Sequence, residues 1–94
     1  MDYRDMNNDE YMITGPKELL DTQDMGLAVG LMSKGYELLD LESNGYSKRV
    51  TFRFQKETSI DDAAQDYWSG RMQVDAKTYW NEMKNLKTRL YSLR

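Results

Sequence analysis

Apolar positions along the chain follow two rhythms, and the switches between them mark the elements. After Asp24, the residues Leu27, Ala28, Leu31 and Met32 recur at helical spacing behind Met25, which predicts an amphipathic helix. Thr22 or Asp24 offers a side-chain oxygen to an orphan N–H of its first turn. Gly35 supplies the stop, because glycine enters left-handed backbone without cost. Gly26 and Gly30 each weaken such a helix by about 1 kcal/mol relative to Ala. Close approach of another backbone is the expected return.

The rhythm then shortens to two, over 36–42 and again over 47–55. Asn44-Gly45 between them favours a type I′ two-residue turn, so a β-hairpin is expected. A two-residue turn sets Ser43 opposite Tyr46, Leu41 opposite Lys48, Leu39 opposite Val50 and Glu37 opposite Phe52. Leu39 and Leu41 then share a face with Val50, Phe52 and Phe54. The other face carries Asp40, Thr51 and Arg53, with Tyr36 and Leu38 as apolar exceptions.

Helical spacing returns at Ile60, Ala63, Ala64, Tyr67 and Trp68, a full amphipathic stripe. Ser59 is placed to cap it, with Asp62 at the third position as in a capping box, and Gly70 ends it. Asp75 then caps a last helix over 76–93, carrying Ala76, Tyr79, Met83, Leu86, Leu90 and Leu93, with Trp80 widening the stripe. Residues 1–16 show no helical period. They read as a polar acidic extension, mobile or contributing an edge strand at 11–14, ahead of one domain over 17–94. The expected fold class is α+β: a β-hairpin, or a three-stranded antiparallel sheet, packed against three helices in the order (β)-α-β-β-α-α.

Composition narrows the chemistry. With 94 residues the chain suits a single domain. It has no cysteine and no histidine, so disulfides, thiolate metal sites and Cys-His or Ser-His-Asp nucleophile systems are excluded. The acidic start lacks a secretory h-region and no apolar run reaches the length of a membrane span. The expected compartment is the cytoplasm. Net charge is −3 but unevenly spread. Residues 1–24 hold seven acids against two bases, and residues 70–94 hold six bases against two acids. Such asymmetry marks either a binding surface or two ends that attract each other.

One resemblance extends this reading. Thr22-Gln23-Asp24-Met25-Gly26-Leu27-Ala28, then Leu31-Met32-Ser33-Lys34-Gly35-Tyr36-Glu37-Leu38, resembles the opening of a small domain family of phages and prophages. Val50-Thr51-Phe52-Arg53-Phe54, Tyr67-Trp68 and the stretch from Val74-Asp75-Ala76-Lys77-Thr78-Tyr79 to Leu86-Lys87 continue the likeness, which covers about residues 19–91. The family is one of unknown function. What the resemblance implies is context: a small accessory protein of a mobile element in a bacterial host.

Candidate sites follow from residue types. Two adjacent bulky residues on a helix cannot both point inward, so one member of each Tyr-Trp pair, 67–68 and 79–80, is expected at the surface. Trp68 and Trp80 are therefore candidate partner anchors. Asp2, Asp5, Asp9, Glu10 and Tyr11 join them as an acidic segment able to imitate nucleic-acid charge, or merely to solubilise. Lys77, Lys84, Lys87 and Arg94 fall near one side of the last helix, as a phosphate-tracking strip or a solvated face. Glu57, Asp61, Asp62 and Asp66 cluster at a helix start, where capping accounts for two of them and Mg²⁺ binding is a weaker reading. No cofactor and no enzymatic activity is expected. The leading expectation is a non-enzymatic interaction protein, with inhibition of a host defence nuclease, anti-CRISPR-like and by occlusion, as its sharpest form. A nucleic-acid-binding accessory protein using the last helix is the alternative, and a homodimer paired through that helix is a third.

Overall fold

The structure, a computed structural model, describes residues 18–43 and 49–93. Among the described residues six elements follow one another: β1 (Leu19–Thr22), α1 (Met25–Ser33), β2 (Leu38–Ser43), β3 (Val50–Gln55), α2 (Ile60–Trp68) and α3 (Ala76–Tyr91). The strands form one antiparallel sheet in the order β1-β3-β2. The architecture is α+β, as the periodicities predict.

Among the described residues the third strand is β1, which pairs Leu20 with Phe54 and Thr22 with Phe52; the edge strand expected at 11–14 lies outside the described residues. β3 thereby becomes the central strand, with both edges hydrogen-bonded. The hairpin register also differs from expectation. Ser43 lies opposite Val50 and Leu41 opposite Phe52, a slip of four residues from the register an Asn44-Gly45 turn implies. The turn residues themselves lie outside the described residues. An even slip leaves every side chain on its face, so Leu41 still sits with Phe52. A bulge then intervenes, since Leu38 pairs with Phe54 but Asp40 with Arg53. Leu39 is the extra residue. It turns outward, 43% exposed, and Leu38 takes the buried position at 5%. The expectation of Leu39 inside and Leu38 outside is thus reversed by the one-residue insertion.

Helices gather on the sheet face that carries Phe52 and Phe54. One apolar cluster joins those rings to Leu38, to Leu27–Leu31 of α1, to Ile60 and Ala63 of α2 and to Leu86 of α3. α1 is more than amphipathic. Five consecutive residues, Leu27 to Leu31, are buried, the pattern of a helix enclosed on all sides. Asp24 caps it, accepting the Leu27 N–H at 2.8 Å, and Thr22 Oγ1 accepts the Asp24 N–H. The close approach at its glycines is by side chains rather than backbone. A Cβ at Gly26 would collide with the Tyr67 hydroxyl, and one at Gly30 would lie 2.6 Å from Met72 Sδ. Tyr67 donates its hydroxyl to Asp24 Oδ1 at 3.0 Å, tying the end of α2 to the start of α1.

Gly35 and Gly70 adopt φ of +99° and +79°, the left-handed stops their positions predict. Asp75 caps α3 through the Thr78 N–H at 2.9 Å. Ser59 does not cap α2. Its backbone is helical, and its hydroxyl shares a hydrogen bond with the Tyr36 hydroxyl instead. Asp61 and Asp62 supply the negative charge in that first turn.

Candidate interaction faces on the last two helices

On the sheet face away from the helices, Arg53 of the central strand holds three carboxylates. Its guanidinium donates to Asp21 of β1 through two nitrogens, at 3.0 and 3.2 Å, and to Asp40 and Glu42 of β2 at 3.3 and 3.0 Å. Hydrogen bonds donated to Asp21 and then to Glu42 raise the Arg53 pKa above its already high ordinary value, so it stays a cation throughout. The cluster clamps three strands together. Among the described residues no group of three or more acidic side chains is placed to hold a metal ion. Asp66 instead pairs with Arg71 at 3.8 Å, and Asp61 with Lys56 at 3.8 Å. A shallow cleft between β2 and the end of α3, lined by Leu39, Asp40, Leu41, Arg89, Ser92 and Leu93, contains none of the candidate residues.

The outward helix faces are where the candidates meet. In each Tyr-Trp pair the tyrosine packs against the core and the tryptophan faces out. Trp68 is 60% exposed, its ring edge-on to Tyr67 with centroids 5.0 Å apart. Trp80 is 57% exposed. The inward turn of Tyr79 is fixed by the buried stripe, and its hydroxyl points to the Gly26 carbonyl at 3.4 Å.

The two faces differ in sign. At 100° per residue, Trp68 shares the solvent arc of α2 with Asp61, Asp62 and Gln65, all exposed. Trp80 shares that of α3 with Lys77, Lys84, Lys87 and Tyr91, all exposed. Lys84 Nζ stands 6.0 Å from the Trp80 ring centroid, within reach of a cation–π attraction. The three lysines form no ion pair among the described residues. Tyr91 stands eleven residues after Trp80, three helical turns on and on the same face. Asp2, Asp5, Asp9, Glu10, Tyr11 and Arg94 lie outside the described residues.

These features define a small α+β domain whose two C-terminal helices display oppositely charged, tryptophan-bearing faces. The chain belongs to the family described as Domain of unknown function (DUF5659), whose model matches residues 17–92. No curated protein and no solved structure matches it. No helix among the described residues is long and apolar enough to cross a membrane.

Proposed function

We propose that this protein is a non-enzymatic interaction module that docks on a larger protein through the acidic face of α2. The observation that carries this reading is Trp68. A 60% exposed indole on the same outward side of α2 as the exposed Asp61 and Asp62 is an aromatic anchor on an acidic helix face, and exposed tryptophan is a frequent energetic contact point in protein interfaces. A surface of that sign suits a basic groove such as those that hold nucleic acid. The phage and prophage likeness supplies the context in the bacterial cytoplasm. The sharpest form of the reading is therefore a mobile-element protein that occludes the nucleic-acid groove of a host defence nuclease, with the acidic residues 1–16 adding charge to the contact.

The test is capture from host lysate with three baits: the native chain, Trp68→Ala and the double variant D61N/D62N. A stoichiometric protein held by the native chain and lost from both variants is the expected result. A partner held equally by all three baits, or no stoichiometric partner, overturns the reading.

A further inference from the structure

The α3 face calls for a different occupant, and it goes beyond the protein-docking reading because it uses another surface of opposite charge. We infer that the solvent face of α3 is a binding strip for single-stranded nucleic acid, with Trp80 as a stacking platform and Lys77, Lys84 and Lys87 as phosphate contacts.

Charge complementarity selects the occupant. Three exposed lysines that form no ion pair among the described residues lie on one side of a 16-residue helix, and the arc from Lys77 through Trp80 to Tyr91 contains no acid. A cationic strip inside a chain of net charge −3 is a local feature rather than a consequence of overall composition. Lysine alone would accept any polyanion. Trp80 narrows the choice, because an indole presents a π-face that an acidic peptide leaves unused and a nucleobase covers. Base stacking on aromatics is the device by which single strands are held without sequence preference. A duplex keeps its bases stacked on each other, so it offers only phosphates to this face. Tyr91 lies about 16 Å further along the axis, with Lys84 and Lys87 between the two rings, so cations separate the aromatics along the strip.

The experiment uses the full chain with Trp68→Phe, which leaves Trp80 as the only tryptophan of the two present. A short oligothymidylate is titrated at about 50 and about 200 mM salt, with polyglutamate and a blunt duplex as controls. Expected is quenching of Trp80 emission by the single strand, with a log K against log salt slope of about −2 for three phosphates neutralised. Adding K84Q and K87Q should reduce that slope to about −0.7. Replacing Trp80 with Leu should weaken binding, followed by polarisation of a labelled strand, by about tenfold with the slope kept. Circular dichroism checks that each variant folds. Absence of quenching at micromolar protein and low salt overturns the inference. So does equal binding of the duplex or polyglutamate, which would make the face a plain cation strip. A change in Trp80 emission on concentrating the protein without any oligonucleotide also overturns it, since the occupant is then a second copy of the chain.

Discussion

Gly26 and Gly30 lie one turn apart on the same buried helix, yet substitution should separate them. At Gly30 the obstructing atom is the sulfur of Met72, the end of a flexible side chain that can swing aside. Gly30→Ala should therefore lie within about 1 kcal/mol of the native stability, because the helix-propensity gain offsets the repacking. At Gly26 the obstruction is the hydroxyl of a rigid ring already bonded to Asp24. Gly26→Ala should cost about 2 kcal/mol, through loss of that hydrogen bond and displacement of the ring. Urea denaturation of the two variants measures the difference, and equal stabilities would refute the account. Tyr67 carries a pH signature as well. Burial, and then the hydrogen bond to Asp24, raise its phenol pKa. The neutral form is the one the fold favours, so its contribution is complete below about pH 10 and disappears as pH rises through the higher native value. Tyr67→Phe should lower stability at pH 7 and remove part of the alkaline loss, as thermal melts between pH 8 and pH 11 would show. The glycines were legible as places of close approach, but not what approaches them. That requires knowing that α2 and the segment after it fold back over α1, a long-range fact with no local sequence trace.

Element by element, the chain explains its own helices better than its sheet. Caps at Asp24 and Asp75 and stops at Gly35 and Gly70 are local chemistry, decided within four residues, and each stands where spacing predicts it. The enclosure of α1 goes beyond the one-faced helix its spacing predicts, although 25–32 contains no charged residue. Strand register is different, because it depends on partners far apart in the chain. Asn44-Gly45 argues for a tight turn, but Asp40 and Asp21 flank Arg53, and Leu38 reaches the core, only in the observed pairing with its bulge. With Leu38, Leu39 and Leu41 so close together, alternation alone supports either leucine inside. α3 hangs on little. Leu86 is its one fully buried residue among those described, so Leu86→Ala should cost about 2–4 kcal/mol and raise amide exchange along Ala76–Tyr91 before β3 is affected. Uniform loss of protection would show that α3 and the sheet unfold as one unit. Its cap is tested through acid. Hydrogen bonds from the Thr78 backbone, then its hydroxyl, lower the Asp75 pKa. That stabilisation is present above the ordinary Asp value near 3.9 and is lost as pH falls through the lower native one. Asp75→Ala should therefore lower Tm at pH 7, and its difference from native should shrink towards pH 2, while Asp75→Asn keeps most of the cap.

At the scale of the whole molecule, the two outward helix faces divide a chain of net charge −3 into an acidic face on α2 and a basic strip on α3, each with one exposed indole. The apolar stripes of both helices are spent on α1 and the sheet, so neither tryptophan is held outward by a lack of room within its own helix alone. The tyrosine beside each one takes the inner position because its hydroxyl reaches a polar group at the α1 start, Asp24 for Tyr67 and the Gly26 carbonyl for Tyr79, which an indole N–H in the same place would have to reach with a bulkier ring. The same end of α1 thus orients both tryptophans, although the faces they occupy are chemically independent. Independence has a measurable consequence. D61N/D62N should abolish capture of a protein partner and leave oligothymidylate binding within about twofold, since exposed charges on a separate helix act weakly across solvent at physiological salt. K84Q/K87Q should do the reverse, weakening the oligonucleotide and sparing capture. If either pair of substitutions impairs both activities equally, the two faces form one continuous contact, and a partner that brings protein and nucleic acid together to the same surface becomes the simpler account.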